Sequence, residues 1–291
     1  MPARHRILVA LVLGLGTAAP GCNNRLFLHP SHDPVATAAE RVEIGTMHRR
    51  LEGRPLEAFY REYGTQGRPP GVFVLAFTGN AGRAERLVDA VPRVLSPWNE
   101  QGMAVLAVNY PGFGSMPEPG PANLRRLGVA AEEAYAYAVE RAAGAPIVIY
   151  GISMGTTAAL HIAASHPEQP PAGLVLDRGP NIPRIVMGRF GWWNLWLAAG
   201  PVTLSLPRSV WSRGNARRID DVPAVFVLGT TDTLVTPRNG GSVIAKYDAP
   251  HRVVQLDIGH NTSVTADEHP GLVEGLTWLW TQVDAGPPGA R

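Results

Sequence analysis

Three side chains of this sequence have the types and settings for nucleophilic chemistry. Ser153 is the centre of Gly151-Ile152-Ser153-Met154-Gly155, after the apolar run Ile147-Val148-Ile149-Tyr150 and before an alanine-rich stretch, Thr156 to Ala164, that reads as helix. A strand that turns into a helix within so few residues holds its central side chain in strained backbone, and a glycine two residues to either side relieves the crowding. A serine so placed stands proud at the carboxyl edge of a sheet as a nucleophile; a tight structural turn is the plain alternative. Because a serine hydroxyl attacks poorly at neutral pH, a base must take its proton. Of the nine histidines, only His260 follows a strand end, Arg252 to Ile258, in a glycine loop. An imidazole with an ordinary pKa of about 6.5 suits that task. His5, His29 and His32 precede the folded region, His48 falls between the two alternating runs, His161 and His166 lie on or after the helix that follows Ser153, His251 opens a strand, and His269 precedes the last helix. Asp232 lies just past the buried run Ala224 to Gly229. A carboxylate there either caps the helix that begins near Pro237 or orients the base. Asp177, at the end of the preceding strand pattern, is its rival.

These groups need a scaffold that brings distant residues together. Val72 to Phe77, Met103 to Tyr110, Ile147 to Gly151, Gly173 to Leu176 and Ala224 to Gly229 are apolar on both faces, as parallel strands covered by helices must be. Helical spacing recurs between them, with Leu87, Val91 and Val94 in one segment and Leu124, Leu127, Ala131, Ala134 and Ala138 in the next. The alternation predicts a mostly parallel sheet with helices on both sides. Arg41 to Thr46 and Leu56 to Tyr63 alternate in polarity around Glu52-Gly53-Arg54-Pro55, which predicts an antiparallel hairpin at a sheet edge. The turn Thr78-Gly79-Asn80-Ala81-Gly82 between a buried strand and a helix exposes N–H groups that can receive an oxyanion or a phosphate. A phosphate loop of the Walker kind would need Gly-Lys-Ser/Thr, which is absent here.

Composition narrows the classes. Apolar residues make up 45% and charged residues 17%, the balance of a globular chain long enough to bury a large core. The net charge is +2 with scattered arginines, which argues against nucleic acid as a partner. Lys246 is the only lysine, so a Ser-Lys dyad would require that one residue. Cys22 is the only cysteine, which leaves no internal disulfide, zinc cluster or redox pair. Arg4 to Gly16 has the charged start and short apolar run of an export signal, too short to span a bilayer, for which about 20 residues are needed. Thr17 to Gly21 then leads to Cys22, which resembles a bacterial lipoprotein signal whose cysteine carries the lipid. On this reading residues 1–22 are a signal or lipoprotein-type segment, 23–40 a proline-bearing tether, 41–285 the domain and 286–291 a tail. The mature chain is expected outside the cytoplasm, in the cell envelope and held at a membrane.

Gly79-Asn80-Ala81-Gly82, Tyr110-Pro111-Gly112-Phe113-Gly114 and Gly151 to Thr156, each after a strand, resemble the α/β-hydrolase superfamily over nearly all of the chain from Leu26 onward. The nearest branch in these motifs is its membrane-anchored serine hydrolases, whose loop usually reads His-Gly-Asn-Ala; Thr78 stands in place of that His. The resemblance implies an α/β-hydrolase fold with a small cap inserted at about 178–221. It implies a triad of Ser153, His260 and Asp232, which occur in the chain order Ser, Asp, His of this fold. It further implies an oxyanion hole from the N–H groups of Met154 and Asn80, with no metal or cofactor. Trp192, Trp193, Trp196 and Trp211 crowd the insertion, either as an acyl-binding wall, a membrane-dipping surface or the cap's own small core. The implied activity is hydrolysis of a carboxylic ester or thioester of a small acyl substrate. A peptidase or amidase of the same fold, and a non-catalytic envelope binding protein, are the alternatives.

Overall fold

The five doubly apolar runs form the middle of a single sheet. A computed structural model describes residues 28–46, 48–64, 67–116, 122–190 and 196–285, with only the backbone at 189, 190, 196–199 and 201. Its strands are β1 Glu40–Ile44, β2 Leu56–Tyr63, β3 Val72–Phe77, β4 Met103–Val108, β5 Ile147–Ile152, β6 Gly173–Asp177, β7 Ala224–Gly229 and β8 His251–Leu256. They lie in the order β1-β2-β4-β3-β5-β6-β7-β8. The first two are antiparallel to their neighbours, and all pairings from β4 to β8 are parallel. Every residue of β3, β4, β6 and β7 is buried, as strands covered on both faces must be. The polar alternation of Arg41 to Thr46 belongs to β1 at the edge, as the hairpin pattern predicts.

Helices cover the two faces. On one side α1 Ala84–Val94 sends Leu87, Val88 and Val91 into a core layer shared with Val74, Val105 and Val225. The last helix, Pro270–Ala285, completes that layer with Leu272, Leu276 and Leu279. On the other side α2 Leu124–Arg141 and α3 Met154–Ser165 pack Leu127, Ala131, Ala158 and Ile162 over Phe73, Leu75 and Ile149. Each large apolar side chain buried this way contributes about 1.5–3 kcal/mol. Between β6 and β7 the described residues include α4 Ile182–Phe190, α5 Trp196–Ser205, a 3-10 turn Arg208–Val210 and α6 Ser212–Ala216. After β7 comes α7 Pro237–Ile244, and the last helix is α8.

The stretch ahead of the sheet differs from the expected tether. Pro30 and Pro34 do keep residues 28–39 out of helix and strand. Leu28 is nevertheless buried in the core on one face of the sheet, while Ala39 packs against the core on the other. This strap therefore passes from face to face. Cys22, Trp192, Trp193 and the tail 286–291 lie outside the described residues. Among the described residues no helix is long and apolar enough to cross a membrane.

Candidate active site

The turn from β5 into α3 is as tight as its glycines require. Ser153 has φ 48° and ψ −113°, a region that costs a non-glycine residue about 1–3 kcal/mol. A Cβ on Gly155 would come 2.1 Å from the Phe77 carbonyl oxygen, and one on Gly151 would come 2.6 Å from the Gly155 backbone. Helix α3 is thus seated directly on the end of β3, and Ser153 has no room to relax. The Ser153 N–H donates to the Asp177 carbonyl at 2.8 Å, and Thr156 Oγ1 donates back to the Ser153 carbonyl at 2.7 Å.

His260 and Asp232 meet that serine from the neighbouring strand ends. Ser153 Oγ lies 3.0 Å from His260 Nε2, and His260 Nδ1 lies 2.7 Å from Asp232 Oδ2. The other oxygen, Oδ1, accepts the N–H groups of Leu234 and Val235, both at 2.8 Å. An ionised carboxylate only accepts, so Nδ1 carries the ring proton and Nε2 faces the hydroxyl as acceptor. Asp232 is 2% exposed, which keeps water from competing for His260. The approach of the two loops depends on Gly229, where a Cβ would sit 2.5 Å from the Ile258 carbonyl oxygen.

Asp177, the rival acid, is committed elsewhere. Arg178 Nε and Nη2 fork onto its two oxygens at 2.8 and 2.7 Å. Burial raises the Asp177 carboxyl above its ordinary range against the pull of the Arg178 charge, while for Arg178 the loss of solvent is outweighed by Asp177, which raises the guanidinium. Arg178 Nη1 then donates to the carbonyls of Gly259 and Thr262, at 2.9 and 2.7 Å, on either side of His260. Sequence reasoning missed this clamp; the available signal was an Asp-Arg dipeptide at the carboxyl end of a buried strand.

The Gly79 to Gly82 turn lies against the serine, since a Cβ on Gly79 would come 3.4 Å from Ser153 Cβ. Its Gly82 N–H closes onto the Gly79 carbonyl at 3.1 Å, with Ala81 at φ 67°. Thr78 is buried, and its carbonyl accepts the Tyr110 hydroxyl at 2.8 Å. Met154 is the first residue of α3, where an N–H has no acceptor within the helix. Met154 thus follows Ser153 along the chain, and Gly79, which precedes Asn80, faces it across the turn. Among the described residues no group of His, Cys, Asp and Glu side chains is placed to hold a metal ion. A cleft of about 630 Å³ lined by Met187, Trp211, Arg213 and Lys246, and another of about 610 Å³ beside Tyr135 and Trp280, both lie away from Ser153.

The family model described as Hydrolase_4, serine aminopeptidase S33, matches residues 73–198. No curated protein matches the chain in sequence. Solved structures do. Est1E from Butyrivibrio proteoclasticus is 16% identical with a TM-score of 0.62, over 84% of this chain and 99% of its own. An acetyl xylan esterase from Paenibacillus sp. R4 is 15% identical with a TM-score of 0.57, over 92% and 94%. An esterase from Pyrococcus furiosus is 14% identical with a TM-score of 0.62, over 88% and 99%. The fold is that of the α/β-hydrolases, and the family match over β3 to α5 agrees with it.

Proposed function

We propose that the protein is a serine hydrolase that cleaves a carboxylic ester or thioester through an acyl-enzyme. The observation that carries this reading is the relay from Ser153 Oγ to His260 Nε2 at 3.0 Å and from His260 Nδ1 to Asp232 at 2.7 Å. Ser153 Oγ attacks the acyl carbon as His260 takes its proton, and Asp232 stabilises the imidazolium without itself becoming protonated. The oxyanion that forms is received by the N–H groups of Asn80 and Met154. His260 then protonates the leaving alcohol or thiol. Water, deprotonated by the same imidazole, releases the acid and restores Ser153. Two of the similar structures, from Paenibacillus sp. R4 and Pyrococcus furiosus, are named as esterases, which supports the ester reading.

Ser153→Ala is expected to abolish turnover of a short p-nitrophenyl ester without unfolding the protein. A fluorophosphonate should label the wild type at Ser153 and leave the variant unlabelled; equal labelling of both would overturn the assignment. The description of the matched family favours a second reading, an aminopeptidase. Comparing kcat/KM on matched ester and aminoacyl amide substrates separates the two.

Export to the cell envelope, with Cys22 as a lipidated anchor, is the accompanying proposal and rests on the pattern Arg4 to Cys22. The intact mass of protein from the membrane fraction tests it. An unmodified thiol on a processed chain would refute it.

A further inference from the structure

Residues 28–33 have no regular structure, yet polar contacts fasten them along their length. The His29 N–H donates to Asn80 Oδ1 at 2.8 Å. The Ser31 carbonyl accepts the Gly114 N–H at 3.1 Å, and His32 Nδ1 lies 3.2 Å from the Gly114 carbonyl. Arg83 Nη1 donates to the carbonyls of Ser31 and Asp33, at 3.3 and 2.5 Å. Arg83 is itself forked onto Glu85 through Nε and Nη2, with the Arg83 residue 3% and Glu85 1% exposed. Asn109 Nδ2 bridges Glu85 to Glu57, and Glu57 accepts the Ser115 N–H, so the loops after β3 and β4 share one buried network.

An ion pair taken out of water is costly unless each donor finds an acceptor. Four N–H groups of Arg83 do so here, and the two on Nη1 depend on the carbonyls of Ser31 and Asp33. Without residues 28–33 those two donors would be stranded beside a buried charge. The pair is therefore built around the strap.

We infer that residues 28–33 are a positioning element of the active site: Arg83 and Glu85 fix the strap, and the His29 N–H fixes Asn80, whose own N–H receives the oxyanion. The inference rests on the hydrolase reading above. Only the Asn80 side chain is gripped, so the contact can be removed without deleting the backbone donor.

The test uses the full-length protein and a p-nitrophenyl ester. Asn80→Ala removes the acceptor, and His29→Pro removes the donor. Each lowers kcat about 10-fold while KM and the thermal midpoint stay near wild type, because the misplaced donor matters only in the transition state. The double variant loses no more than either single one, since both cut the same contact. A kcat within about twofold of wild type for both variants, or losses that multiply in the double variant, would overturn the inference. If His29→Pro does not fold, Asn80→Ala decides alone. Failure of the hydrolase reading is distinguishable, because turnover would then be absent from the wild type or would survive Ser153→Ala.

Discussion

Arg83 and Arg178 are each buried against a carboxylate close in sequence, Glu85 and Asp177, and each turns Nη1 toward two backbone carbonyls, those of the strap and of the His260 loop respectively. Arg83 grips the strap on the side of Asn80. Arg178 grips the loop of His260. The surroundings differ. Around Arg83 the network runs on from Glu85 through Asn109 to Glu57, which also pairs with Arg41, and it contains none of the three triad side chains. Beside Arg178 stand His260 and Asp232, where a proton is proposed to come and go. A lysine there could lose its charge on burial, whereas a guanidinium stays charged throughout. Asp177 offsets that fixed charge, so that His260 faces Asp232 and not an uncompensated cation. The same device thus serves as a fastener on one side of the serine and as an insulated holder on the other.

The sharpest way to break this distinction is to remove each acid. Asp232→Asn is expected to lower kcat about 10⁴-fold by presenting the wrong tautomer of His260, with little change in stability. Asp177→Asn should act mainly on stability, so a comparable loss of kcat in its folded form would erase the difference between ring partner and clamp partner. Next in size, Arg83→Met and Arg178→Met each leave a buried carboxylate unpaired and should destabilise the protein by about 3–5 kcal/mol in urea unfolding. Equivalence of the two clamps fails if one substitution costs less than about 1 kcal/mol. Smaller again, Gly114→Ala puts a Cβ 1.9 Å from Glu57 Oε2 at φ +93° and should cost about 2 kcal/mol through the strap-side network alone. Little loss in urea unfolding would show that network to be loose.

Glu132 and His161 supply the contrast, a carboxylate and an imidazole in contact near the surface. Their nitrogen and oxygen are 2.9 Å apart with the glutamate side chain 40% exposed, and the His161 hydrogen bond holds the Glu132 carboxyl below its ordinary range. Because the folded pKa is depressed, the stabilisation is present above the unfolded pKa and is lost as pH falls through the folded one. Solvent screening limits it, so Glu132→Gln should cost at most about 0.5 kcal/mol at pH 7 and nothing in strong acid. A large loss in pH-dependent urea unfolding would show that exposure does not separate this pair from the clamps.

What was legible in the sequence was what a strand end can announce. Doubly apolar runs gave β3 to β7, because a covered strand has no polar face to display. Gly151 and Gly155 marked the serine turn through crowding that any such turn must relieve. His260 stood out by its place after a strand. The packing of the strap was not legible, because prolines report only the loss of regular hydrogen bonds. Its own carbonyls are bound by Arg83, some fifty residues on, and no local pattern encodes that. Asp177 and Asp232 have the same local setting, and only the neighbouring Arg178 separates them. The 3-10 helices Arg49–Leu51 and Ser96–Gln101 were likewise unannounced, being too short to impose a period.

Gly155 lies flush with the Phe77 carbonyl, whereas residues 182–190 and 196–216 form short helices between β6 and β7. Tolerance to change is accordingly partitioned. A side chain at position 155 would displace the turn that holds Ser153, whereas an exposed position such as Leu204 meets no such obstacle.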